Sequence, residues 1–177
     1  PDVLLAPFTP VEQEVDVLPA FVTALTGVGG FCNVVNDFNE LTAFLETQKQ
    51  KGLSVVNGCA ALAEYNISTY KNYPAAQLQD VDTVVLQGTV AVAENGAVWI
   101  PGSNIVNRAL PFICQHLILI ITTRDIVTDM HQAYNKIKIS DEGYGVFIAG
   151  PSKTADIEQS LVVGAHGALS LQVYILP

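Results

Sequence analysis

The stretch Gly150-Pro-Ser-Lys-Thr-Ala-Asp-Ile-Glu-Gln-Ser-Leu-Val-Val-Gly164, continued by Ala-His166-Gly167, carries the most specific pattern in the chain. The apolar run from Tyr144 to Ala149 leads into it with the length and composition of a buried strand. A glycine–proline turn follows, and Ser152 and Thr154 are residue types that cap a helix N-terminus. Ile157 and Leu161 would then share one face of that helix. A strand, a small-residue loop and a helix start gather unpaired backbone N–H groups and a positive dipole end at one point, which suits an anion. Asp156 and Glu158 open a second reading, because acidic side chains in a first turn satisfy the dipole without any ligand. Neither the glycine pattern of a dinucleotide fold nor that of a P-loop is present.

Strands and helices alternate on the N-terminal side of this unit. Residues 1–15 hold three prolines and no periodicity and read as an extended arm. A helix is predicted from Asp16 to Thr26, with Pro19 in its first turn and Gly27, Gly29 and Gly30 at its end. The short strand Phe31–Val35 follows. Asp37 and Glu40 form a capping-box variant for a helix that buries Phe38, Leu41 and Leu45 and stops at Gly52. Leu53–Val56 reads as a strand, Asn57-Gly58 as a turn, Ala60–Tyr65 as a short helix, and the region of Tyr70 and Tyr73 as a loop.

Thr83–Ala93 is strand material broken near Gly88. Asn95-Gly96 between two alternating apolar runs signals a two-residue hairpin. Residues 104–110 read as a short helix carrying Arg108, and His116–Ile121 as a buried strand. A helix starting at Thr122 or Thr123 would stack Ile126, Met130, Ala133 and Ile137, and Leu171–Leu176 is the last strand. The alternation predicts an α/β domain with a largely parallel sheet covered on both faces, made mixed by the hairpin.

Composition narrows the function classes. The 177 residues suit one domain, 1–177, and with 50% apolar and 14% charged residues the chain can bury a full core. A net charge of −9 opposes nucleic acid and anionic membrane surfaces. No Lys or Arg precedes Lys49, which gives an acidic N-terminal portion. The longest apolar run, residues 117–121, is far short of a membrane span. With no signal peptide visible and three scattered cysteines, Cys32, Cys59 and Cys114, a reducing cytoplasm is the expected location. No CxxC pair is present, so the chain is not expected to hold an iron–sulfur cluster itself. His116, His131 and His166 have no zinc-type spacing, so no metal site is expected.

Gly150-Pro-Ser-Lys-Thr-Ala-Asp-Ile-Glu158 and Val163-Gly-Ala-His-Gly167 resemble the C-terminal signature of the lactate-utilisation (LUD) domain family, in particular its lactate utilisation protein C branch. Ala93-Glu-Asn-Gly96 and Arg108-Ala-Leu110 are similar to two further family segments, and the likeness covers about residues 80–177. The resemblance implies a three-layer αβα fold with a mixed, mostly parallel sheet, of the NagB/RpiA/CoA transferase-like type. It also implies a role in L-lactate oxidation beside iron–sulfur and oxidoreductase subunits. In that setting this chain would be an accessory member that carries no redox cofactor, the iron–sulfur cluster residing in a partner subunit.

The candidate chemistry follows from individual residues. Ala-Glu94-Asn-Gly resembles the catalytic tetrapeptide of coenzyme A transferases of this fold. A carboxylate in a strained turn can attack a thioester, and the N–H groups of Asn95 and Gly96 would stabilise the oxyanion. Glu94 as an exposed side chain beside a turn is the alternative. In the loop, Gly150, Ser152 and Thr154 would hold a phosphate or carboxylate, with Lys153 as counter-charge. Asp156 would act as acid or base, with Glu158 as a second carboxylate there. His166 lies between small residues where backbone can approach a ligand, and Arg108 is a candidate anion clamp. Three readings stand: an accessory lactate-oxidation subunit binding a small anion, an enzyme on a carboxylate or thioester substrate, and a small-anion sensor.

Overall fold

The apolar run at residues 116–122 forms the middle strand of an all-parallel sheet. The computed structural model describes residues 16–65, 70, 72–138, 143–155, 161–163 and 167–177. In chain order its helices and strands are α1 (Val17–Gly27), β1 (Phe31–Val34), α2 (Asn39–Gln50), β2 (Val55–Asn57), β3 (Thr83–Gln87), β4 (Val90–Val92), β5 (Ala97–Pro101) and α3 (Leu110–Ile113). There follow β6 (His116–Thr122), β7 (Ile126–Val127), α4 (Met130–Lys136), β8 (Gly145–Ile148), β9 (Lys153–Ala155), β10 (Leu161–Val163) and β11 (Ser170–Leu176). Short 3-10 turns at Ala60–Tyr65, Ala75–Gln77, Gly102–Asn104 and Thr123–Asp125 join them.

The main sheet runs β1-β11-β6-β3-β2 with every neighbouring pair parallel. Its inner strands β3 and β6 are apolar on both faces because both faces are covered, whereas the edge strand β1 leaves Phe31 and Val34 exposed. On one face Val84, Leu86, Leu117, Leu119, Leu171 and Val173 pack with Phe21 and Leu25 of α1. On the other, Val85, Ile118, Ile120 and Tyr174 pack with Leu41 and Leu45 of α2 and with Leu62 and Tyr65. Each such aliphatic side chain contributes about 1.5–3 kcal/mol by leaving water, so two clusters of this size fix the strand register firmly.

The hairpin expected to make this sheet mixed instead builds a second sheet, β7-β4-β5-β8, against the α1 face. Its inward residues Ala91, Val98 and Ile100 join the main core, while Val90, Val92 and Trp99 face the other way onto Ala133 of α4 and onto Val127. The chain changes sheet at Gly88. The Gly88 N–H still donates to Ile120 O in the first sheet, and the Thr89 N–H donates to Trp99 O in the second. A Cβ at Gly88 would lie 2.4 Å from Val98 Cγ1, so only glycine lets the two sheets approach there.

Several local expectations are corrected. The helix predicted from Thr122 or Thr123 is interrupted: Thr123–Asp125 is one 3-10 turn, closed by Asp125 Oδ2 accepting from the Thr122 N–H and hydroxyl. Ile126 and Val127 pair with β4, as suits two β-branched residues, and the helix begins only at Met130 under the Asp129 cap. Arg108 does not lie on a helix over 104–110. Pro111 is tolerated only in a first turn, so α3 starts at Leu110 and Arg108 occupies the turn before it. Asp37 accepts from the Asn39 N–H at 2.8 Å, but α2 begins at Asn39 with Phe38 as its boundary residue.

The largest correction falls on the signature stretch. The helix expected after Ser152 is replaced, among the described residues, by the antiparallel pair β9–β10, with Thr154 opposite Val162. A single four-residue spacing between Ile157 and Leu161 was too short a helical signal against the strand preference of Thr154, Val162 and Val163. There is therefore no helix N-terminus at Ser152 to supply a dipole.

Candidate functional site

The Gly150–Ser152 turn forms one wall of a cleft of about 230 Å³. Pro111, Phe112, Leu117, Ile148 and Ala168 supply apolar walls, and Gly167 lies across from Ser152. Two glycines are required by the packing. Gly150 has φ +76°, and a Cβ on it would lie 2.5 Å from the Val28 carbonyl oxygen. A Cβ on Gly167 would lie 2.9 Å from Ser152 Cβ and 3.1 Å from its Oγ. The Ser152 N–H donates to Ala168 O at 2.9 Å, tying the turn to the approach to β11. Leu117 is the second residue of β6 and Ala168 precedes β11, so the cleft opens at the amino ends of the parallel strands. Ligands of open α/β sheets ordinarily bind at the carboxyl ends.

The sequence candidates separate in space. Gly150 and Ser152 line the cleft. Lys153 is exposed and leans toward Gly29, its Cε 3.8 Å from where a Cβ on that glycine would stand. Thr154 lies in β9, and Asp156, Glu158 and His166 lie outside the described residues. Glu94 is exposed and is not among the cleft's lining residues; its Oε2 accepts the Met130 N–H at 3.0 Å, at the start of α4. The Asn95 side-chain oxygen accepts the Ala97 N–H at 3.0 Å. The turn is longer than the two residues expected, because the Gly96 N–H donates back to Val92 O. That amide is thus engaged within the turn. The Arg108 guanidinium carbon lies over the Tyr144 ring, 4.5 Å from its centroid.

At the carboxyl ends of β2 and β3 lie two polar side chains, Asn57, which the sequence reads as a turn residue, and Asn104, which it reads as the start of a short helix. Asn57, fully buried, donates through Nδ2 to Cys59 O and Leu62 O and accepts the Cys59 N–H on Oδ1. Asn104 donates to Gln87 O at 2.9 Å. Every polar atom of the Asn57 side chain is thereby used in shaping the loop, which marks a structural role. The thiols are equally quiet. Burial pushes Cys114 up to about 12 and Cys32 up to about 11, and raises Cys59, so all three stay protonated near neutral pH. Among the described residues no group of three or more His, Cys, Asp or Glu side chains is arranged to hold a metal ion.

A parallel sheet with α2 on one face, α1 and a second sheet on the other, and α4 outermost defines a layered α/β domain. The same fold is seen in a DUF162 family protein from Deinococcus radiodurans, with a TM-score of 0.67 at 16% identity over 91% of this chain and 96% of that one. The LUD domain model matches residues 71–176, more than half of the chain. The chain belongs to the LUD domain family. It is 37% identical over 98 residues to lactate utilization protein C of Shouchella clausii, covering 52% of this chain and 43% of that protein. It is 33% identical over 108 residues to the Geobacillus kaustophilus protein of the same name, covering 54% and 45%. These matches span less than half of each relative's length.

Proposed function

We propose that this chain serves lactate utilisation as an accessory LUD domain, binding a small carboxylate without carrying a redox cofactor, beside iron–sulfur and oxidoreductase subunits. The likeness to lactate utilization proteins C supports the process. The observation that carries the accessory role is the hydrogen bond from Met130 N–H to Glu94 Oε2. A carboxylate employed at a helix start, outside the cleft, is poorly placed to attack a thioester. Among the described residues the cleft beside Ser152 offers one hydroxyl amid apolar walls, which matches the hydroxyl and methyl groups of lactate better than a polyphosphate.

The test is titration of the full chain with L-lactate, D-lactate and acetyl-coenzyme A, followed by thermal shift. Selective stabilisation by L-lactate that Ser152→Ala weakens supports the reading. An acyl adduct on Glu94 after acetyl-coenzyme A would overturn it in favour of the transferase alternative. Co-purification with an iron–sulfur protein from lactate-grown cells tests the assembly, and a chain that stays alone there counts against it.

A further inference from the structure

At the opposite end of the β5–β8 ladder from the Ser152 cleft, a second depression of about 370 Å³ is lined by Asn72, Gly102, Ile105, Val106, Asn107 and Arg108. The backbone that carries its cation is fixed by Asn107, and the guanidinium itself lies over Tyr144. The Asn107 amide donates to Tyr70 O and Tyr73 O at 3.2 and 2.9 Å. Asn107 Oδ1 accepts the Ala109 N–H at 3.1 Å, so the backbone of Arg108 is clamped within a closed turn. Beneath the guanidinium lies Tyr144, 4.5 Å away, whose carbonyl accepts the Gly102 N–H at 2.8 Å. A Cβ on Gly102 would come within 2.7 Å of that carbonyl oxygen, so glycine there keeps Tyr144 in position.

A guanidinium carbon seated over an aromatic ring still leaves N–H groups directed away from that ring, and two of them can bind a carboxylate through parallel hydrogen bonds. Arg108 is exposed, and among the described residues no carboxylate pairs with it, in a chain with 17 acidic and eight basic residues. Ile105, buried, and Val106, half-buried, line the same depression. Among the described residues the depression presents one cation beside apolar side chains, which fits a singly charged head with a short hydrocarbon tail better than a phosphate dianion. We infer that Arg108, held over Tyr144, forms an anion site for a small monocarboxylic acid, separate from the Ser152 cleft. It does not depend on the lactate assignment.

The experiment is an NMR titration of the full chain at pH 7, following the Arg108 side-chain Nε–H signal, with acetate, butyrate and inorganic phosphate as probes. Acetate and butyrate should shift that signal saturably, butyrate the more tightly. Arg108→Gln should abolish the saturable acetate effects on backbone amides around residues 102–108, and Arg108→Lys should weaken them at least tenfold. Tyr144→Leu should weaken them severalfold with Arg108 intact, while Ser152→Ala leaves them unchanged. The proposal is overturned if Arg108→Gln, folded by circular dichroism, binds acetate as the parent does. It is equally overturned if phosphate binds tenfold tighter than either carboxylate. Loss of L-lactate stabilisation in Ser152→Ala with the acetate response retained would separate this site from the cleft.

Discussion

Glu94 Oε2 accepts the backbone N–H of Met130 at 3.0 Å, so the turn between β4 and β5 closes the first turn of α4. Asp129 completes the arrangement by accepting the Gln132 N–H at 2.8 Å. A side chain that the tetrapeptide context marks for chemistry is here a helix-capping acceptor. Replacing a capping side chain by alanine costs about 1 kcal/mol, so Glu94→Ala should lower the urea midpoint by that equivalent. Glu94→Gln keeps an acceptor and should lose less than half as much. Equal losses in the two variants would show that the charge, not the hydrogen bond, matters.

Gly96 and Gly52 separate conformational strain from steric exclusion. Both have positive φ, +70° and +74°. A Cβ on Gly96 would lie 2.6 Å from the Leu25 backbone, whereas nothing lies within 4 Å of one on Gly52. Gly52→Ala should therefore cost about 1–2 kcal/mol for the left-handed backbone alone. Gly96→Ala should cost roughly 1–3 kcal/mol more by prying the turn away from α1, as measured by chemical denaturation.

Gly167 and Ser152 form a testable pair across the cleft. Gly167→Ala should destabilise the fold, because its methyl would meet the serine side chain. Ser152→Gly should relieve that contact, and the double variant should recover part of the loss. A coupling energy of about 0.5–3 kcal/mol is expected from the double-mutant cycle. Additive effects would mean that the two loops do not meet as described.

Alkaline pH should destabilise the protein through its thiols. Burial raises Cys114 from an ordinary 9.0 to about 12, so between those values the unfolded chain releases a proton that the folded chain retains. Stability from this group is complete below pH 9 and falls as pH rises toward the folded value. The slope per thiol approaches about 1.4 kcal/mol per pH unit. Cys32, raised to about 11 but only partly buried, adds less. Cys114→Ala should flatten the pH dependence of the denaturation midpoint above pH 9, despite a lower midpoint at neutral pH.

Where the sequence was legible, long apolar runs and strong turn residues agreed with each other. His116–Ile121, Leu171–Leu176 and the break at Gly88 fall where the structure has them. The helix carrying Leu41 and Leu45 also appears, because its apolar spacing is reinforced by a stop at Gly52. The misreadings share a cause. Ile126-Val127 and Leu161-Val162-Val163 are short apolar segments that fit a helix face or a strand equally well. Pairing with β4 and with β9 decided both. No local pattern could announce such partners.

By itself the sequence determined a layered α/β domain and, through its signature stretch, the LUD family, since buried parallel strands and glycine-bounded turns are written in residue types. Only the tertiary structure decided that Glu94 caps α4, that Arg108 rests on Tyr144, and that Ser152 faces Gly167. Each of these is a meeting of side chains or backbones brought together by packing, and its energy exists only once both partners are in place.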